Sequence, residues 1–162
     1  MDRQKWLDLA GYTAVSCSAY FSGASLYINW VQVPTMFAVA PDTRTLLREW
    51  RETYTRARVI QGTFAVVGTA SGLVVYFLTD RGQYRCLWLA GALSLLSGLP
   101  WTRLVMMPDI KKLKEENVLE RRGDTWVKEK IARWNRLHAF RTIASSVAFD
   151  LMMAAIYLDR MT

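Results

Sequence analysis

A histidine, an arginine and a threonine stand close together late in the chain, as His138, Arg141 and Thr142. Their spacing of three and four residues places the three side chains on one face if this segment is helical. Histidine is the side chain whose unperturbed pKa suits proton transfer near neutral pH, and arginine stabilises anions. The group therefore predicts a candidate polar site in which a histidine able to transfer protons and an arginine able to bind anions share one helix face.

Other polar residues are expected beside this group if the chain forms four helices that run alternately up and down. The helix ends on that side carry Asn29, Gln32, Gln61, Thr102 and Arg103. Three tryptophans near the same level are expected to form an aromatic rim: Trp30, Trp101 and Trp134. These residues predict one polar pocket that binds a substrate or a lipid. Snorkelling and hydrogen bonding at a membrane interface would place some of them there without a pocket.

Four apolar stretches must position this site. Leu9 to Pro41 and Val59 to Thr79 contain no charged residue, and each is long enough to cross a hydrocarbon core of ~30 Å as a helix. Two further stretches, Cys86 to Pro108 and Leu137 to Leu158, are apolar apart from three charged residues. Because the chain has stretches of this length and hydrophobicity, a soluble domain is excluded. We predict an all-α, up-down four-helix transmembrane bundle forming one domain over 1–162, with spans at about 9–34, 59–79, 86–108 and 137–158.

An acidic residue, Asp150, lies near the middle of the fourth predicted span. An isolated carboxylate in hydrocarbon costs several kcal/mol, so Asp150 should face inward, be hydrogen-bonded or be protonated. Ser146 on the same helix and Ser18 or Tyr20 in the first span are candidate partners. A structural clamp and a proton or substrate role both stay open.

Basic residues divide unequally between the two membrane sides. The connectors after spans one and three hold fourteen lysines and arginines, and the side with the termini holds five. Positive charge is retained inside, so these connectors should lie inside and both termini outside. The first stretch stays uncharged too far for a cleaved signal peptide, and a retained anchor is expected. No targeting signal identifies the organelle; the mitochondrial inner membrane and endomembranes both fit.

The composition excludes several kinds of site. Two cysteines cannot make a disulfide framework or a cysteine metal centre, and one histidine excludes a His-rich zinc or di-iron centre. The net charge of +7 comes mostly from the membrane-side asymmetry, so nucleic acid is not an expected partner. We expect neither a metal nor a cofactor, and we expect membrane lipids as partners.

The connector at 109–136 is long enough to have structure of its own. Gly123 and Asp124 predict a stop followed by a helix that begins near Thr125 and continues into the fourth span. The spacing of Val127, Ile131, Trp134 and His138 predicts that these four residues share one face of an amphipathic helix. A solvated surface helix and a helix that docks a partner are both compatible with this pattern.

Several of these residues form motifs that resemble a known family, the domain shared by the anthrone oxygenases and the DUF1772 membrane proteins. The motifs cover nearly the whole chain: Gly23 with Leu26-Tyr27 and Pro34; Pro100-Trp101-Thr102; Met107-Pro108-Asp109 with Leu113; and Trp134-Asn135-Arg136-Leu137-His138 followed by Arg141-Thr142.

The resemblance implies a four-helix membrane protein. For members tied to polyketide clusters it implies oxidation of an anthrone, a hydrophobic aromatic small molecule, to an anthraquinone by molecular oxygen without a bound metal or flavin. Such a reaction needs a base and a group that stabilises the anion. His138 would be the base and Arg141 would stabilise the anion, with Asn29 or Thr102 orienting the carbonyl. The three tryptophans would stack on the flat substrate.

A non-catalytic accessory subunit of a larger membrane complex is the main alternative. The polar cluster would then bind a lipid headgroup or a quinone, or fix helix packing, and other membrane protein subunits would be partners. A small transporter is a third hypothesis. Transporters are commonly built from repeats that contain interrupted helices, and one copy of four helices without such repeats has little space for a substrate pathway.

Overall fold

The computed structural model describes residues 3–79 and 84–161, and these ranges are almost entirely helical and contain no β-strand. The predicted turn at 80–83 lies outside the described residues. The helices are α1 (Arg3–Tyr27), α2 (Val33–Val39), α3 (Thr43–Leu78), α4 (Arg85–Trp101), α5 (Met107–Leu113), α6 (Val118–Arg122) and α7 (Asp124–Met161). Two π-helical segments join them, Ile28–Gln32 between α1 and α2 and Thr102–Met106 between α4 and α5.

Four long helices pack as a bundle. Helix α1 contacts α3 and α7, and α4 contacts the same two helices from the other side. The core between them is apolar, with side chains such as Phe21, Leu95 and Met152 almost fully buried. The predicted all-α helical bundle is therefore confirmed.

Three helical stretches in the described part of the chain are long and apolar enough to cross a membrane: Thr43–Leu78, Arg85–Leu113 and Asp124–Met161. Many large apolar side chains on the outside of the bundle, Phe77 and Leu104 among them, are exposed, as expected of a surface in contact with lipid. These features indicate a membrane protein. Helix α1 is not one of the three, and its crossing stays a prediction.

Helices α3 and α7 extend well beyond the predicted spans on the side of the basic connectors that follow spans one and three, which we call the connector side. Asp42 caps α3 because its carboxylate accepts a hydrogen bond of 2.7 Å from the Thr45 N–H, which lowers the pKa of Asp42. Helix α7 begins at Asp124, directly after Gly123 at φ 79°, so the predicted start is confirmed. The amphipathic face of this helix, from Val127 to His138, is buried.

A second core, larger than the clusters between the spans, ties these extensions together on the connector side. Trp50 of α3 is 0% exposed and packs among residues of α2, α5, α6 and α7. Asp109 of α5 forms ion pairs with Lys130 at 2.9 Å and Arg133 at 3.1 Å, both on α7. Arg51 donates to the backbone carbonyl of Leu113 at 2.9 Å and so caps the C-terminus of α5. The connector-side ends of α4 and α7 are thus held in a fixed relation.

Small residues allow the long helices to approach closely. A Cβ at Gly68 would lie 2.9 Å from the Cβ of Cys17, and one at Gly91 would lie 2.8 Å from the Cγ of Met152. In contrast, nothing lies within 4 Å of the corresponding position at Gly23. Glycine is therefore required at some helix crossings and not at others.

Candidate functional site

Two π-helical segments shape the connector side of the bundle, where the site residues were predicted. Segment Ile28–Gln32 precedes Pro34, and segment Thr102–Met106 precedes Pro108. Proline has no N–H and its ring crowds the carbonyl four residues earlier, so a wider turn relieves the crowding. Both segments contact α7. They therefore place Asn29 and Thr102 on either side of the helix that carries His138 and Arg141.

Asn29 is the centre of a buried hydrogen-bond network between α1 and α7. Its Nδ2 donates to the backbone carbonyl of Asn135 at 2.7 Å and to the side-chain oxygen of the same residue at 2.8 Å. Its Oδ1 accepts from the hydroxyl of Thr142 and lies 3.0 Å from Nδ1 of His138. An amide oxygen only accepts, so the network assigns the proton of neutral His138 to Nδ1.

Arg141 lies inside the bundle and is 7% exposed. Its Nη2 donates to Oε1 of Gln61 at 3.0 Å, and Nε2 of Gln61 donates in turn to the Ser25 hydroxyl at 3.2 Å. The guanidinium carbon lies 5.2 Å from the centre of the Phe21 ring, a cation–π contact.

No carboxylate among the described residues pairs with Arg141, and its buried Nε–H has no hydrogen-bond partner. A buried cation is costly unless an opposite charge or further acceptors compensate it. Arg141 is therefore equipped to receive an anion or an electron-rich oxygen.

A pocket of about 140 Å³ reaches Arg141 from the side of α3 and α4. We call it the arginine pocket, and it is lined by Arg141, Tyr54, Arg58, Gly62, Leu99, Thr102, Arg103 and Met107. The hydroxyl of Thr102 donates to the Gly98 carbonyl at 2.7 Å, so its lone pairs, and not its proton, are available to a ligand. Three cations and an apolar wall make this pocket suitable for an aromatic molecule that carries negative charge.

A second, wider cavity of about 460 Å³ continues from the arginine pocket toward the connector side. It shares Tyr54, Arg58, Arg103 and Met107 with the arginine pocket, and we call it the outer groove. Its other lining residues are Ile110, Lys111, Lys114 and Glu115.

Another groove, of about 770 Å³, lies between α1–α2 and α3 and is largely apolar. Gln32 and Gln61 both line it, and Nε2 of Gln32 donates to the hydroxyl of Thr53 at 2.8 Å. Gln61 therefore lies between this groove and Arg141. The two glutamines and the Thr102–Arg103 pair, which the sequence predicted in one pocket, line cavities on different sides of the bundle.

His138 is 1% exposed and is enclosed by the Asn29 network and the ring of Trp134, whose centre lies 5.0 Å away. It lines neither the arginine pocket nor the two grooves. The structure thus brings His138 together with Asn29 and Thr142, whereas Arg141 turns toward Gln61 and the arginine pocket.

The three tryptophans of the predicted rim lie in different environments. Trp30 is 78% exposed on the outside of the bundle. Trp101 is half-buried, donates to the Leu137 carbonyl at 3.0 Å and packs on Phe140. Trp134 is 2% exposed inside the connector-side core, edge-on to Trp50. A single aromatic rim around one pocket is therefore not what the structure contains.

Asp150 lies on the exposed surface of α7 and does not face inward. Ser146, its expected partner, instead lies 2.7 Å from the hydroxyl of Ser22 and donates to the Thr142 carbonyl at 2.9 Å. Asp150 faces outward because the rotation of α7 about its axis buries Ala148 and Met152 on the opposite side of the helix. The protonated alternative stays a prediction.

Two pocket residues, Tyr54 and Arg58, were missed because the sequence treats them as part of a connector. Helix α3 in fact begins at Thr43, so residues 54, 58 and 61 lie on consecutive turns of one helix. The Asp42 N-cap signal ahead of Thr43 could have revealed this extension.

A family model described as anthrone oxygenase matches residues 50–151, a range that includes every lining residue of the arginine pocket. No curated protein and no solved structure matches the chain.

Proposed function

Because the chain belongs to the anthrone oxygenase family, we propose that it oxidises an anthrone-type aromatic ketone with molecular oxygen in the arginine pocket. The observation that carries the proposal is the buried Arg141, which has no counter-charge among the described residues and whose Nε–H lacks a partner. An anthrone becomes an anion when its ring methylene loses a proton, and the negative charge moves onto the carbonyl oxygen. Arg141 would hold that oxygen.

The reaction balances with oxygen as the only oxidant. Loss of a methylene proton gives the anion, which passes an electron to O₂, and the resulting radicals combine to form a carbon–oxygen bond. The peroxide formed then loses the second methylene hydrogen as a proton while its O–O bond breaks. One oxygen atom becomes the new carbonyl, and the other leaves as water. No reductant is consumed.

The arginine pocket and the outer groove together would accommodate the substrate. The carbonyl end would enter the smaller cavity, where Leu99 and Met107 offer apolar contact and Tyr54 an aromatic face. The remaining rings would extend into the outer groove, with which the pocket shares four lining residues. Because this groove is open, water at its mouth is the proton acceptor that this arrangement favours.

His138 receives a positioning role in this proposal and not the role of base predicted from the sequence. Its Nδ1 is engaged by Asn29, and it is separated from the pocket although it precedes Arg141 by one helical turn. By fixing α1 against α7, His138 and Asn29 would hold Arg141 at the end of the pocket.

The experiment is oxygen uptake and quinone absorbance with purified protein, anthrone as substrate and no added metal or flavin. Arg141→Met should slow the reaction about 100- to 1,000-fold, the scale on which loss of a preorganised donor acts. Arg141→Lys, which keeps the charge but loses the planar fork, should fall between Arg141→Met and wild type.

Arg136→Met is the matched control, since Arg136 is exposed on α7 and lines none of the described cavities near Arg141. It should leave the rate unchanged. A wild-type rate equal to that in buffer, or an Arg141→Met rate equal to wild type, overturns the proposal.

One observation favours a second candidate function, an accessory subunit of a membrane complex. The exposed Asp150 lies in the middle of an apolar helix surface, among Ile143, Val147 and Met153. A carboxylate in this position is stabilised when a partner helix supplies a donor or a cation. Native electrophoresis of detergent-extracted membranes would then recover the chain in a larger complex that Asp150→Leu dissociates and Ile143→Leu does not.

A further inference from the structure

Four basic side chains surround the outer groove without acidic partners. Arg58 and Arg103 lie at its inner end, Lys111 lies on α5, and Lys114 directly follows the last residue of α5. No carboxylate among the described residues forms an ion pair with any of these four. The one acidic residue of the groove, Glu115, is paired with Arg121 at 3.3 Å. The groove therefore has an unneutralised positive charge.

The groove also lies where a bilayer surface is expected. Arg58 directly precedes the uncharged stretch Val59–Thr79, and Arg103 lies near the connector end of the third predicted span. Lys111 and Lys114 follow about two and three helical turns after Arg103, beyond that span. Apolar Met107 and Ile110 line the same cavity. Cations beside apolar side chains at this depth match the boundary between phospholipid headgroups and acyl chains.

A buried donor adds a second, independent observation at the inner end. Arg141, 93% buried by its 7% exposure, lines the arginine pocket into which the groove leads, and its Nε–H has no partner. The line of cations thus runs from solvent to the interior of the bundle, and a volume of about 460 Å³ is enough for a glycerophosphate group.

We propose that the outer groove binds the phosphate headgroup of an anionic phospholipid, held by Lys111, Lys114, Arg58 and Arg103. The recognised group is a phosphate whose charge no choline or other cation of the same headgroup neutralises, and the lipid presents it from the membrane side. Arg58 and Arg103 also line the arginine pocket, whereas Lys111 and Lys114 line the outer groove and not that pocket. The test therefore changes only the two lysines and measures lipid binding without substrate, so that its result does not depend on oxidation activity. Because the rings of the substrate are proposed to extend into the same groove, a bound lipid and a substrate would compete for it.

The test is native mass spectrometry of the detergent-purified protein titrated with phosphatidylglycerol or phosphatidylcholine. The test variant is Lys111→Gln/Lys114→Gln. The control is Lys112→Gln/Lys128→Gln, which removes the same charge from exposed positions that do not line the groove. All four lysines are exposed, so both double variants should fold, and circular dichroism checks this.

Wild type should bind phosphatidylglycerol at least ten times more tightly than phosphatidylcholine. The test variant should lose about 30-fold in affinity for phosphatidylglycerol, the effect of removing two basic residues at a membrane surface. The control should bind as wild type does. Equal losses in the two double variants, or no loss in the test variant, overturn the site.

A further arm distinguishes the source of the phosphate. Thermal unfolding is followed with inorganic phosphate, with phosphatidylglycerol and with neither. Stabilisation by phosphatidylglycerol alone supports the lipid proposal. Equal stabilisation of wild type by inorganic phosphate, lost in the test variant, overturns the lipid and identifies a soluble phosphate compound as the ligand.

Discussion

Replacing Asn29 with alanine is expected to destabilise the bundle more than its small change in volume suggests. The variant loses two hydrogen bonds to Asn135 and one each to His138 and Thr142. Hydrogen bonds between membrane helices contribute about 0.6 kcal/mol each on average, and buried groups in soluble proteins about 1 kcal/mol. Four bonds therefore give a loss of about 2 to 4 kcal/mol in the free energy of unfolding.

Gln32→Ala is the matched control, since Gln32 lies one turn later, belongs to the same π-helical segment and makes one side-chain bond, to Thr53. It should cost about 1 kcal/mol or less. The assay is reversible unfolding of purified protein in mixed micelles with increasing sodium dodecyl sulfate, followed by circular dichroism. If Asn29→Ala destabilises no more than Gln32→Ala, the network does not hold α1 to α7, and the positioning role of His138 falls with it.

Three further predictions use other features of the structure. His138→Ala should lower kcat but leave the shape of its dependence on pH unchanged. If the variant loses a titration of kcat near neutral pH that wild type has, His138 is the base after all. Gly91→Ala should destabilise by about 1 to 3 kcal/mol because of overpacking, whereas Gly23→Ala should not, and thermal unfolding of both compares them. The cap at Asp42 has a lowered pKa in the folded state, so its stabilisation is present above the unfolded pKa and is lost as pH falls through the folded value. The protection factor of the Thr45 N–H, which is the intrinsic exchange rate at a given pH divided by the observed rate, should therefore fall in acid in wild type, and Asp42→Asn should remove this dependence. A wild-type protection factor that stays constant between about pH 6 and 2 would contradict it.

The main features of the fold follow from the sequence because hydrophobicity and cap signals are local. The helix that begins at Asp124 was predicted to within one residue, and the buried face from Val127 to His138 follows from its spacing. The extension of α3 to Thr43 was missed, since the spans were defined by the absence of charge. A helix that leaves the membrane can continue through charged residues without a break.

The candidate site was predicted less well because it depends on the rotation of each helix about its axis. Sequence spacing correctly puts His138, Arg141 and Thr142 in buried positions. It does not specify that Arg141 reaches toward α3 while His138 reaches toward α1. A rotation of α7 by a fraction of a turn would exchange these partners, and only the packing of all four helices determines it. The orientation of Asp150 failed for the same reason.

The π-helical segments also constrain the length of the chain. A π turn accommodates one residue more than an α-helix would, so deleting a residue within Ile28–Gln32 would allow ordinary α-helical bonding. A π turn holds one residue more than an α turn over nearly the same angle, so this deletion would leave the helix faces before and after it nearly in phase. Ser22 and Ser25 would then keep their contacts with α7 and Gln61. A deletion in the regular α-helix between Ser25 and Ile28 would instead rotate both serines by about 100° relative to Asn29. Homologues that keep both sets of contacts should therefore tolerate the loss of one residue within the π-helical segment and not between Ser25 and Ile28.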